Sequence, residues 1–257
     1  MTTKHLLLLA WLLPLGVHAQ EFKMKFASAQ DRKVVLDMRQ GDVTVEGYDG
    51  DELLIQASGY HYTPPPSLAN GLRPIYASGG DNTHLGLSVT PDGSNTLRVV
   101  STSNSDGHYT VRVPRQTDVA FTHNQWNLSS DLTVRNLAGR LEVSLTSGDL
   151  RLLNMSGAVV ANTVSGDVKV QFSGVPAQPC AISSVSGDVD VSLPAATKAS
   201  FSMRSISGEI YTDFDLNLSS GSLHHVGGQT VEGRANGGGT TFSLKTVSGD
   251  IFVRKSR

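Results

Sequence analysis

Apolar and polar residues alternate along most of the chain, and the alternation restarts behind one recurring phrase. The phrase reads Thr163-Val164-Ser165-Gly166-Asp167, then Ser184-Val185-Ser186-Gly187-Asp188, then Ser205-Ile206-Ser207-Gly208-Glu209, and it returns as Thr246-Val247-Ser248-Gly249-Asp250. Behind each copy apolar side chains fall at every second position: Val168, Val170 and Phe172; Val189, Val191 and Leu193; Ile210, Thr212 and Phe214; Ile251 and Val253. A period of two rich in β-branched residues predicts a strand with one buried face. The Ser-Gly ahead of it is turn chemistry, since glycine accepts positive φ and serine bonds locally to the backbone. Each unit therefore reads as strand, tight corner, strand.

The spacing of the corners predicts how the units assemble. Gly139, Gly148, Gly157 and Gly166 stand nine residues apart, room for one short strand between corners. Gly166, Gly187 and Gly208 are then 21 apart, and Gly249 follows 41 later, near two further turns of that length. Units this small bury their apolar faces only by stacking on one another. The expectation is an all-β chain, a β-solenoid or β-helix-like stack of short strands with coils of about 18–21 residues and like residues about 4.8 Å apart. An antiparallel meander is the rival, and recurrence of the phrase at whole-coil intervals favours the solenoid.

Taken from its beginning, the chain opens with Lys4, the apolar run Leu6 to Leu13 and the small residues before Gln20. Residues 1–19 read as a secretory signal peptide, too short for a stable membrane span. No later stretch reaches the length of a transmembrane helix, so no integral membrane segment is expected after cleavage, and the product is placed in the periplasm, at the cell surface or outside the cell. The alternation starts at Lys33 and breaks between Gly59 and Gly93, where Pro64-Pro65-Pro66 excludes a central strand. A boundary near Arg115 separates a less regular N-terminal β region, residues 20–115 with its Pro-rich excursion at 59–93, from a regular repeat region at 116–257.

Composition narrows the partners. A formal net charge of −2 supplies no basic field, so no nucleic acid is expected. The one cysteine, Cys180, allows no internal disulfide and reads as core filler.

The exported start, Val111-Arg112-Val113-Pro114, the repeated Ser-Gly-Asp phrase and the ending from Asn236-Gly237-Gly238-Gly239 through Thr246-Val247-Ser248-Gly249-Asp250 together resemble the bacterial "putative adhesin" family of otherwise unknown function. The resemblance runs from about Gln40 to Lys255, with the Pro-rich excursion as an insertion and a loose match in the N-terminal third. It implies an envelope or surface β-solenoid-like domain, adhesion as its role and no established catalytic residues to carry over; multivalent surface contact, the mechanism expected here, needs no cofactor.

Candidate chemistry lies in two constellations. Stacked coils would line Asp149, Asp167, Asp188, Glu209 and Asp250 along one edge, where calcium would relieve their repulsion. The denser glycine repeat of calcium solenoids is missing, and a carboxylate after glycine ordinarily completes a turn, so turn chemistry takes precedence. The same edge is the basis of the alternative, a carbohydrate-active enzyme, a polysaccharide hydrolase or lyase. Such a pair needs two carboxylates in unlike environments, whereas a repeated column offers like ones. The second constellation is aromatic: Tyr211 and Phe252 at outward positions, with Tyr60, Tyr62 and Tyr76 around the excursion, as candidate binding surface. A non-catalytic adhesin or envelope scaffold follows, with surface polysaccharide or an envelope protein as partner. Self-association into an envelope filament is the further alternative, because open solenoid ends expose strand edges.

Overall fold

The computed structural model describes residues 21–60, 68, 70, 72, 80–102, 107–125, 128–218 and 228–256. They form twenty-one strands and no α-helix. The regular coils each place one strand in an eleven-stranded sheet and the next in a ten-stranded sheet, so the chain winds between two walls. The coils are β2 (Lys33–Asp37) with β3 (Val43–Tyr48), β6 (Thr96–Ser101) with β7 (His108–Pro114), and β8 (Asp118–His123) with β9 (Leu132–Arg135). They continue as β10 (Leu141–Ser147) with β11 (Leu150–Met155), β12 (Val159–Ser165) with β13 (Val168–Phe172), and β14 (Cys180–Ser186) with β15 (Val189–Pro194). The last are β16 (Ala199–Ser207) with β17 (Ile210–Thr212) and β20 (Thr240–Ser248) with β21 (Ile251–Ser256). This is the stacked solenoid expected from the repeat. Alternation places Leu150, Leu152, Val168, Val170, Val189 and Val191 in one continuous core, all essentially without solvent exposure.

Spatial order departs from chain order at both ends. The ten-stranded wall runs β7, β3, β9, β11, β13, β15, β21, β17, and the eleven-stranded wall runs β6, β2, β8, β10, β12, β14, β20, β16. The first coil therefore sits inside the second, and the last coil inserts between β14/β15 and β16/β17. Counting residues from Gly208 to Gly249 predicts two further turns, yet the two glycines occupy adjacent rungs. Between them the chain spends its length on β18 (Leu216–Leu218) and β19 (Gln229–Ala235), which pairs antiparallel with β16. The interior row consequently reads Val168, Val189, Ile251, Ile210. Ile210 is only half-buried because its strand is the last of its wall.

Antiparallel strands cover the other ends. β4 (Glu52–Ser58) pairs with β7 and carries β1 (Glu21–Lys25) outside it, and β5 (Leu87–Pro91) closes the other wall against β6. Pairing in this way satisfies the edges of β7 and β6 and leaves the five-residue β1 and β5 as the terminal strands at that end, short edges being poorer templates for association. Phe172, Phe201, Phe214 and Phe242 fill the C-terminal end of the core, with ring centroids 5.5 to 6.1 Å apart. Cys180 is buried there, its Sγ 3.4 Å from the amide of Val159, and burial pushes the thiol up.

Candidate binding surface

Three positions of the recurring phrase have distinct physical tasks. The leading Thr or Ser points inward: Thr163, Ser184, Thr246 and Ser205 are buried. The Ser184 hydroxyl donates to the carbonyl of Gly166 at 3.3 Å, Thr246 to Gly187 at 3.1 Å and Ser205 to Gly249 at 2.9 Å. A buried hydroxyl thus satisfies itself on the corner of the neighbouring coil. Gly187 turns that corner at φ 143°, and a Cβ there would stand 2.2 Å from the Gly166 carbonyl oxygen, so only glycine fits. At the opposite corner the reason is proximity alone: a Cβ on Gly157 would fall 1.9 Å from the carbonyl oxygen of Gly139.

The acidic position closes the corner. The backbone N–H of Asp167 donates to Oδ1 of Asp149 at 3.1 Å, Asp188 to Asp167 at 2.9 Å, Asp250 to Asp188 at 2.8 Å, and Glu209 to Asp250 at 2.8 Å. The ladder begins earlier than the phrase suggests, since the Asp131 amide donates to Asp42 at 3.0 Å and Asp149 to Asp131 at 2.9 Å. Asp42 follows a glycine, Gly41, as the later carboxylates do. Asp131 was hidden because Ser130 replaces the corner glycine, its hydroxyl donating to the Gly41 carbonyl. Arg151 bridges the outer oxygens of Asp131 and Asp149 at 3.3 and 2.9 Å. The column is real, and one oxygen of each carboxylate from Asp42 to Asp250 is held by the next coil's backbone. Among the described residues no group of three or more His, Cys, Asp or Glu side chains stands close enough to hold a metal ion.

The residue after the buried hydroxyl faces water in every copy. Val164, Val185, Val247 and Ile206 are 52, 47, 42 and 47% exposed. They lie side by side because their neighbours pair in register, Thr163 with Ser184, Ser184 with Thr246, and Thr246 with Ser205. This aliphatic ridge escapes an alternation count, because it looks like the start of an apolar run.

The aromatic candidates divide. Tyr62 and Tyr76 lie outside the described residues. Tyr60 is half-buried, its hydroxyl 3.5 Å from Oδ2 of Asp81. Tyr211 and Phe252, distant in sequence, are brought onto neighbouring strands by insertion of the last coil. Their rings stack with centroids 5.2 Å apart and planes at 10°, and Tyr211 remains 50% exposed. On the other flank the Arg254 guanidinium lies 4.8 Å from the Phe252 ring centre and donates to Oδ1 of Asp190 at 2.9 Å. Guanidinium over ring and ring over ring are both favourable contacts. Beside the stack opens a depression of about 650 Å³, lined among others by Lys169, Gln171, Ser192, Tyr211, Arg254 and Lys255.

The solved "putative cell adhesion protein" of Clostridium sporogenes ATCC 15579 is 11% identical, with a TM-score of 0.50, covering 93% of this chain and 100% of its own. The "putative adhesin" of Bacteroides fragilis NCTC 9343 is 11% identical over 92% of this chain and 97% of its own, with a TM-score of 0.37. A "putative lipid binding protein" of Parabacteroides distasonis ATCC 8503 is 12% identical over 94% and 98%, with a TM-score of 0.29. The first of these likenesses shows the shared fold. Among curated proteins nothing matches. No helix among the described residues is long and apolar enough to cross a membrane. The profile described as Toastrack DUF4097 matches residues 93–254, more than half of the sequence, and the chain belongs to that family.

Proposed function

We propose that this protein is an exported, non-catalytic β-solenoid that works as an adhesin or envelope interaction scaffold, binding through the outer face of its ten-stranded wall. The observation that carries this reading is the Tyr211–Phe252 stack, half-open to solvent on strands held rigid by the parallel ladder. Binding aromatics ordinarily sit on well-supported strands; β21 is paired on both sides and holds Phe252, against which Tyr211 of β17 is stacked. The corner carboxylates support a non-catalytic role, because Asp149, Asp167, Asp188 and Asp250 share one structural task, each accepting the backbone N–H of the next coil's corner. General acid and nucleophile need environments that split their pKa values. The cell-adhesion description of the Clostridium sporogenes protein accords with the proposal.

The test is retention of the full chain on immobilised envelope polysaccharide, with Tyr211→Ala beside it. The expected outcome is saturable retention without release of reducing ends, weakened about ten-fold by the substitution. Turnover of the polysaccharide abolished by Asp167→Ala or Asp188→Ala would replace the scaffold by a carbohydrate-active enzyme.

A further inference from the structure

The aliphatic ridge lies on the eleven-stranded wall, away from the aromatic stack, and ordered polar columns run along both of its sides. Val164, Val185, Val247 and Ile206 follow one another across β12, β14, β20 and β16, 42 to 52% exposed. Two residues before each of them, on the same outward face, Asn162, Ser183, Lys245 and Arg204 stand in register. All four can donate hydrogen bonds. Lys245 and Arg204 have no carboxylate within ion-pair distance among the described residues.

Three residues after each ridge position, around the corner, stand Asp167, Asp188, Asp250 and Glu209. The next coil's backbone takes Oδ1 of Asp167, Asp188 and Asp250, and their other oxygens have no hydrogen bond or ion pair among the described residues. Glu209 accepts from the side-chain amide of Gln229. Between ridge and carboxylates lie only the small, exposed Ser165, Ser186, Ser248 and Ser207 and the corner glycines. The columns also end together. On the next coil Thr146 stands opposite Val164, between residues that pair with Thr163 and Ser165, and there Arg151 occupies the outer oxygen of Asp149. Carboxylates are thus neutralised from within the chain where the ridge is polar, and left without a cation where it is aliphatic.

Parallel columns of donors, aliphatics and carboxylates match a second copy of themselves when the two-fold axis runs along the ridge. That operation turns the donors of one copy toward the carboxylates of the other at the same height, Lys245 toward Asp250 and Arg204 toward Glu209. Each ridge residue then meets its own counterpart. An axis across the ridge would set donors against donors and carboxylates against carboxylates, and an anionic lipid surface would be repelled by the carboxylate column.

We infer that the ridge is the contact face of a homodimer, a second copy docking ridge on ridge about a two-fold axis parallel to the stack. The long stems of Lys245 and Arg204 carry their charges past the serines to the other copy's carboxylates. The contact is isologous and closes at two copies. Four coils at about 4.8 Å each make it a small interface, with a dissociation constant on the order of 100 µM.

Sedimentation velocity of the full chain, from about 10 µM to about 1 mM, tests the inference. The sedimentation coefficient should rise with concentration, and Val247→Asp should abolish the rise. Lys245→Glu should weaken association about ten-fold, and added salt should weaken that of the native chain. On oxidation Val185→Cys and Val247→Cys, each alone, should give a disulfide-linked dimer, whereas Thr241→Cys, outward on β20 but away from the ridge, should not. The native Cys180 is buried and does not compete. Melting curves establish that each variant is folded, and the cysteine variants decide if Val247→Asp is not. A chain still monomeric at about 1 mM, association unchanged in Val247→Asp, or crosslinking at Thr241→Cys as readily as on the ridge would each overturn the inference. So would a monomer that floats with phosphatidylglycerol vesicles and loses them in Val247→Asp, an outcome that assigns the ridge to a lipid surface. Retention on polysaccharide through Tyr211 is read separately, so either result can fail without the other.

Discussion

Asp188 illustrates how a single side chain joins one coil to the next. Its Oδ1 accepts the Asp250 amide while its own amide donates to Asp167, so the residue is a link in a series rather than an isolated cap. Asp188→Ala is expected to cost about 1.5 kcal/mol, the low end for a hydrogen bond to a charged acceptor since the site is only half-buried, and Asp188→Asn less, because the amide oxygen still accepts. Chemical denaturation midpoints read the difference. His123 is a buried titratable group of the early coils, its Nε2 3.1 Å from the Arg39 carbonyl and its Nδ1 without a partner among the described residues. Burial pushes the imidazole below its ordinary value of 6.5, against a smaller upward effect of the Arg39 carbonyl. The folded state therefore resists the proton that the unfolded chain accepts. Stability is full above 6.5 and is lost as pH falls through the lower folded value. The midpoint should drop between about pH 7 and about pH 5 in the native chain and drop less in His123→Leu.

At the scale of the strand and corner, the recurring phrase is a compact set of instructions in which the buried hydroxyl, the glycine and the carboxylate each serve the adjacent coil. The corner glycine is its least replaceable member. Gly187→Ala meets both a positive φ and the Gly166 carbonyl, neither of which a flexible side chain can relieve. Its expected cost is about 3 kcal/mol or more, seen as a large fall in melting temperature or loss of soluble protein. The aliphatic ridge of Val164, Val185, Val247 and Ile206 follows from the same register as the buried Thr and Ser column beside it. Nothing in the packing of the coil explains why those exposed positions are apolar.

The whole molecule depends on two insertions. β16 and β17 meet the regular stack only through β20 and β21. A chain ending at Ala235 would lose more than its last coil: β17 would have no strand partner and β16 only β19. Limited proteolysis of that truncation should open β16 and β17 while leaving the regular coils that end at β15 protected. A solenoid stacked in simple chain order would instead lose only the deleted turn. The swap also builds the aromatic stack, because Tyr211 and Phe252 become neighbours only once β21 slides in beside β17.

Local physics made the element type, the buried face and the corner chemistry readable from the residues themselves. Period-two apolar runs such as Val168, Val170 and Phe172 define strands, and Ser-Gly-Asp defines a corner whose carboxylate completes a turn. The outward placement of Tyr211 and Phe252 was equally legible, being a matter of parity along a strand. Their contact, the extension of the ladder to Asp42 and Asp131, and the order of coils at either end were decided by the tertiary structure. The reason lies in the repeat: the four corners at Gly166, Gly187, Gly208 and Gly249 carry nearly the same residues, so any one can pair with any other at similar local free energy. Only the sealing of the ends, through β18 and β19 at one and β1, β4 and β5 at the other, selects which coil lies against which.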